Sequence, residues 1–221
     1  MEQLLLNLLA PEPPRFDNFL PGPNTEALAS LRQNLRPPHR ESVLYLWGPP
    51  GCGKTHLLRA AVAEARASAY LSGSLLAVDE PGLATVAIDD VHLLHAENQA
   101  KLFTLLNRQR ERGGLVLASG ELPPAQLALR EDVRNRLAWG LVFELKPLSD
   151  EEKPMALVDY ARARGFRIPT EVIDYLLKHG RRDMGTLLRQ LATLDHQSLV
   201  QKRPVSLALL RRMARTQAEA P

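Results

Sequence analysis

Eight residues, "GPPGCGKT" from Gly48 to Thr55, constrain the fold of this 221-residue chain more than any other stretch. They satisfy the spacing G-x-x-x-x-G-K-[ST] and stand between an apolar run, "VLYLW", and a segment of helical character, "THLLRAA". A glycine-rich turn that leaves a buried strand and enters a helix aims backbone N–H groups and the positive helix end at one spot. The spacing therefore predicts a phosphate cradle on an α/β sheet. Lys54 is expected to reach the β- and γ-phosphates and the Thr55 hydroxyl to hold Mg²⁺. Gly48, Pro50, Gly51, Cys52, Gly53 and His56 complete the stretch that would bind ATP or ADP. Cys52, the only cysteine, occupies a variable position and reads as a small tolerated residue rather than a redox group.

The rest of the chain supplies the sheet this turn requires. Short apolar runs, "SVLYLWG", "ASAYLSG", "LATVAIDD", "GGLVLASG" and "WGLVFEL", alternate with helical patterns such as "ENQAKLFTLLNRQRER". Such alternation predicts five strands of a mostly parallel sheet, buried on both faces and joined by crossover helices. After "LKPLSDEEKP" no strand-like run remains, and amphipathic stretches predict a small all-helical second domain. Leu157, Tyr160 and Ala161, then Val172, Ile173, Leu176 and Leu177, mark its core face. Ser149 with Glu152 fits a capping box at its start, and Gly165 and Gly180 fit helix stops. The expected organisation is an extended, proline-punctuated arm over 1–22, an α/β domain over 23–148 and a helical domain over 149–221.

Two further strand ends carry chemistry. "TVAIDD" would deliver Asp89 to the Mg²⁺ shell and place Asp90 where a water-activating carboxylate lies, although a paired Asp also serves as a cap or turn. "LVLAS" ends in Ser119, a polar tip on an apolar run, which could orient the attacking water or contact the γ-phosphate. Glu121 is a weaker candidate beside it.

These elements in this order resemble the AAA+ ATPases, and among them the DnaA/Hda family, on the Hda (regulatory inactivator) side. The residues that carry the resemblance are "FDNFLPGPN", "GPPGCGKTHLL", "AIDDVHLL", "LVLASGELPP", "LREDVRNRLAWGLVFEL" and "LSDEEKPMALVDYARARGFRIPTEVIDYLLKH". The resemblance implies a helical lid as the second domain and Phe19, Leu20 and Pro21 as base-pocket residues. It also implies Arg136 as an arginine finger acting in trans, with Arg134 supporting the same interface. In the family the lid carries an arginine that touches the phosphates; here Gly185 aligns with it, leaving Arg182 or Arg189 as possible replacements.

The same resemblance implies partners. "QLLLNL", with Gln3, Leu4, Leu6 and Leu8, is similar to the family's peptide for the DNA polymerase III sliding clamp, its leucines filling an apolar pocket and its amide fixing register. The implied function is stimulation of ATP hydrolysis on DnaA, with DNA contacted through the clamp, weak intrinsic ATPase activity, and negative regulation of replication initiation. A helicase loader working by its own hydrolysis is the alternative, and a homodimer or homo-oligomer is compatible with either. A sequence-specific initiator is disfavoured because only "AEAP" follows the final helical pattern "VSLALLRRMARTQ", leaving no recognition helix. Composition adds limits: one cysteine permits no internal disulfide, no apolar run reaches the roughly 20 residues of a membrane helix, and net charge +3 neither requires nor forbids nucleic acid. The resemblance implies a bacterial cytoplasmic, nucleoid-associated protein.

Overall fold

The computed structural model describes residues 13–72, 82–179 and 183–218, with side chains through 213. The described residues form two compact units, one spanning Pro13–Pro147 and the other beginning at Leu148.

In the first unit, α1 (Thr25–Asn34) precedes β1 (Val43–Trp47), α2 (Lys54–Glu64), β2 (Ser68–Ser72), β3 (Thr85–Asp89), α3 (Ala96–Glu111), β4 (Leu115–Gly120), α4 (Glu131–Leu137) and β5 (Leu141–Glu144). The five strands pair in parallel in the order β2-β3-β4-β1-β5. Every expected strand forms, because each is a short β-favouring run bounded by polar or glycine-rich turns. The central strands are largely apolar up to their carboxyl ends because both faces are covered, and their alternation sorts the side chains. Val43, Tyr45, Val86, Ile88, Val116 and Ala118 face Leu102, Leu105 and Leu106 of α3 and Val133 and Leu137 of α4. Leu44, Leu46, Ala87, Leu115 and Leu117 face α1 and α2 through Leu31, Leu57, Leu58 and Ala61. Each of these leucines, fully buried, contributes about 1.5–3 kcal/mol to the folded state.

The amino-terminal segment departs from the expected extended arm from residue 13 onward. Phe16–Asn18 and Gly22–Asn24 form short 3₁₀ turns, and Phe16, only 2% exposed, packs into the α1–α2 side of the core. Periodicity could not reveal this, since three-residue turns are too short to carry a repeat. Asn24 closes the segment down: its Nδ2 donates to the Lys146 carbonyl and its Oδ1 accepts from the Lys146 N–H, both at 2.8 Å.

The second unit holds α5 (Glu152–Ala163), α6 (Thr170–His179), α7 (Met184–Val200) and α8 (Leu207–Ala218) around a core that includes Leu157, Val172, Ile173, Leu176, Leu187, Leu191 and Leu194. The capping box forms reciprocally: the Ser149 N–H donates to Glu152 Oε2 at 2.7 Å and the Glu152 N–H to Ser149 Oγ at 3.2 Å. Helix α5 stops at Gly165, whose φ of +80° suits glycine, and the Phe166 N–H closes back onto the Ala161 carbonyl. Gly180 lies outside the described residues. Among the described residues no helix is long and apolar enough to cross a membrane.

Candidate nucleotide site

The parallel order brings the carboxyl ends of β3, β4 and β1 side by side, where the crossover leaving β1 runs toward β2 and the one leaving β4 runs the opposite way toward β5. Open α/β sheets place their ligand sites there. Leu46 pairs with Ser119 and Trp47 with Gly120, while Ile88 pairs with Ala118, so the phosphate loop, the Asp89–Asp90 turn and Ser119 share one edge.

The loop from Gly48 to Gly53 enters α2 through Gly53, at φ +104°. A Cβ there would also lie 2.6 Å from the Phe19 ring, so two independent constraints require glycine. Lys54 is 6% exposed, and its ammonium donates to the carbonyls of Gly48 at 2.7 Å and Pro49 at 3.1 Å. Among the described residues it has no carboxylate within ion-pair distance. A buried cation held by carbonyl dipoles and a thiol, at the start of a helix, is electrostatically suited to an anion. Cys52 Sγ lies 3.9 Å from the same ammonium; burial nevertheless pushes its thiol up, and the Lys54 charge only partly opposes this. Pro50, Gly51 and Thr55 are exposed along the loop and first helical turn.

Phe19 reaches the loop from the amino-terminal segment. Its ring centroid lies 5.5 Å from that of His56, and His56 Nε2 lies 2.9 Å from the Arg15 carbonyl, with the Nε2–H tautomer donating. Burial holds the His56 pKa below the usual imidazole value. The start of α2 is thus tied to residues 15–19, and Leu20 and Pro21 follow half-buried.

The acidic centre is built from three strands. Asp89, 3% exposed, accepts from the Ser119 hydroxyl on Oδ1 and from the Tyr70 hydroxyl on Oδ2, the latter at 2.6 Å. Ser119, fully buried, also accepts from the Asp90 N–H at 3.1 Å. Asp90 takes the left-handed conformation at φ +55°, which Asp tolerates better than most residues. Its carboxyl is pushed upward by burial and by the Asp89 charge, against the pull of His92 and Lys54. Tyr70, with Arg59 4.8 Å from its ring, has its hydroxyl pKa pushed up to about 12 by burial and by the Asp89 bond.

No group of three or more metal-ligating side chains exists among the described residues. Thr55 and Asp89 alone would leave an octahedral cation underligated, which suits Mg²⁺ held jointly by one or two protein groups, phosphate oxygens and water. The residues present fit a Mg²⁺–nucleotide better than a free metal ion.

Arg136 lies on α4, away from this cluster in the sequence and on a different surface element. Its guanidinium sits 3.8 Å from the Phe103 ring centroid and 4.8 Å from that of Trp139. Nε donates to Asn107 Oδ1 at 2.6 Å and Nη1 to the Asp132 carbonyl, while Nη2 makes no hydrogen bond among the described residues. Arg134 donates to the Ala125 carbonyl. In the second unit Gly185 is exposed near the start of α7, and Arg189 is exposed and bonded to Thr186. Gln3, Leu4, Leu6, Leu8 and Arg182 lie outside the described residues.

Sequence reasoning did not find Tyr70, Arg59, Asn24, Phe103, Asn107 or Trp139. Tyr70 was visible only as one of several apolar-compatible residues in a strand. Asn24 signalled a turn and nothing more.

Residues 150–214 match the family described as the Hda lid domain. The chain is similar to domain III of the replication initiation protein DnaA from Thermotoga maritima, with 21% identity, TM-score 0.73, and coverage of 91% of this chain and 95% of that one. It is similar to AMPPCP-bound DnaA from Aquifex aeolicus at 19% identity and TM-score 0.74, covering 96% and 72%. The Holliday junction branch migration motor RuvB of T. maritima shares the fold at 18% identity and TM-score 0.67, covering 92% and 72%. The match to the Hda lid over 150–214 and the fold shared with the DnaA structures support a DnaA/Hda-family AAA+ ATPase.

Proposed function

We propose that this protein is a DnaA-related regulator of replication initiation that binds ATP or ADP with Mg²⁺ and stimulates hydrolysis of ATP held by DnaA. The observation that carries the reading is the Hda lid match over 150–214, joined to a complete phosphate loop. The A. aeolicus DnaA with the same fold binds AMPPCP, which supports a nucleotide in the cradle of Gly48–Thr55. In this reading Lys54 and the loop N–H groups hold the phosphates, Thr55 and Asp89 hold Mg²⁺, and Phe19, Leu20 and Pro21 border the base. Mg²⁺, when bound there, would neutralise charge on the phosphates. Asp90 and Ser119 are assigned to orienting water for slow intrinsic hydrolysis, and Arg182 to a phosphate contact from the lid.

Arg136 is the group offered to DnaA. Charge building on a transferring phosphoryl group is stabilised by a guanidinium from a neighbouring subunit, by up to ~10³–10⁵ in rate in other NTPases. The half-buried setting of Arg136 supports this role, since aromatic faces and Asn107 preorganise the fork while Nη2 keeps its donors for an incoming anion. Gln3, Leu4, Leu6 and Leu8 are assigned to the sliding clamp, which would bring the protein to DNA indirectly.

The test measures hydrolysis of DnaA-bound ATP with this protein in the presence of clamp-loaded DNA. Acceleration that disappears in Arg136→Ala and weakens in Gln3→Ala is expected. No acceleration, or equal acceleration by Arg136→Ala, defeats the reading; robust hydrolysis by this protein alone would favour a helicase loader or other free-standing ATPase.

A further inference from the structure

The acidic centre contains a donor that the nucleotide reading does not use. Tyr70 lies on β2, an edge strand, where its backbone pairs with Ala87; Ser72, two residues further on, is the partner of Asp89. Its ring therefore runs along the sheet edge to bring the hydroxyl to Asp89 Oδ2 at 2.6 Å. On the opposite side Ser119 donates to Oδ1. Behind the ring stands Arg59 of α2, one helical turn beyond Thr55 and so on the same helix face. A continuous line of contacts runs from the phosphate-loop helix through Arg59 and Tyr70 to Asp89 and Ser119.

We propose that Tyr70 is a positioning residue for Asp89, holding the carboxylate in the orientation that binds Mg²⁺ on the nucleotide. The role rests on the nucleotide reading above. An ionised carboxylate has about four lone-pair sites on two oxygens. Two hydroxyl donors, one per oxygen, take half of them and leave one on each oxygen for the cation or its water shell. With a donor on each side the carboxylate cannot rotate without breaking a charge-assisted bond, and O–H···O⁻ contacts of this length belong to the strong class. Buried as it is, Asp89 has no bulk water to replace a lost donor. Ser119 holds it from the centre of the sheet; Tyr70 holds it from the edge, with Arg59 of α2 against its ring.

The phenol's packing and its hydrogen bond are separable, because Tyr70→Phe keeps the ring against Arg59 and removes only the hydroxyl. The experiment follows binding of a fluorescent ADP analogue to the full chain, first with EDTA and then across a Mg²⁺ titration, for wild type, Tyr70→Phe and Asp89→Asn. Ligand-free melting of each variant reports folding. Tyr70→Phe is expected to match wild type in EDTA and to need about tenfold or more Mg²⁺ to reach its midpoint, the range typical of lost outer-shell partners. Asp89→Asn should shift the midpoint at least as far. A purely packing role would lower affinity equally with and without Mg²⁺, and that result overturns the proposal. An unchanged or lowered midpoint in Tyr70→Phe alongside a shifted Asp89→Asn overturns the role of Tyr70 alone. Absence of nucleotide binding by wild type, or an unshifted Asp89→Asn, overturns the nucleotide reading and the role of Tyr70 with it.

Discussion

Replacing Ser119 by alanine separates a residue that touches only ligand from one that holds the protein together. The Ser119 hydroxyl donates to Asp89 and accepts from the Asp90 N–H, and the residue is fully buried. A bond to an ionised acceptor is worth about 1.5–3 kcal/mol net, and a neutral one about 0.5–1.5 kcal/mol. Water cannot replace either at a fully buried position, and alanine leaves a gap only one oxygen wide. The sum is about 3 kcal/mol, and at roughly 2–4 °C per kcal/mol for chains of this size it predicts a fall of about 6–12 °C in melting temperature without ligand. Losing the Asp90 tether also frees a left-handed residue from its constraint, so Mg²⁺-dependent nucleotide binding should weaken in parallel. Calorimetric melting of ligand-free wild type and Ser119→Ala, followed by nucleotide titration, checks both. A ligand-free melting shift below about 2 °C, with nucleotide binding or hydrolysis impaired, would show that Ser119 acts only on the nucleotide and would refute the structural duty derived from its two bonds.

Other substitutions read other parts of the unit. Gly53→Ala should abolish nucleotide binding by calorimetry, because it combines a φ of +104° with a Cβ 2.6 Å from Phe19; adding Phe19→Ala removes the clash but not the backbone strain of about 1–3 kcal/mol, so binding should not be restored. Asn24→Ala removes both bonds to the Lys146 N–H and carbonyl and should cost about 1–3 kcal/mol in denaturant unfolding, where an ordinary surface Asn costs little. Cys52, buried and with its thiol pushed up, should react with iodoacetamide at neutral pH far more slowly than the same cysteine in the unfolded chain; equal rates would show that the loop opens freely. Gly185→Ala, at an exposed helical position where a new Cβ meets nothing closer than 3.5 Å, should raise stability by about 0.5–1 kcal/mol in the unfolding of the helical unit.

Some of this molecule is written locally, and some is not. The phosphate loop is a contiguous signal: glycines, lysine and threonine act within one turn, so their spacing in the chain is their spacing in space. The five strands are equally local, since alternating and continuous apolar runs report which faces will be covered before the partner elements are known. Asn24 could not be found this way, because its partner Lys146 is 122 residues away and its signal is indistinguishable from that of a turn. Phe16 was hidden in a proline-rich segment too short to show periodicity.

Sequence by itself determined the cradle, the strand ends that carry Asp89 and Ser119, and the resemblance that singled out Arg136. Tertiary structure decided what each of those groups is bonded to. Parallel pairing of β2, β3 and β4 placed Tyr70 and Ser119 on opposite oxygens of Asp89, and packing of α3 beside α4 placed Phe103 and Asn107 around Arg136. The physical reason is the range of the forces: turn geometry and hydrophobic period act over a few residues, whereas a hydrogen-bond partner or an aromatic face comes from whichever distant element the topology brings alongside.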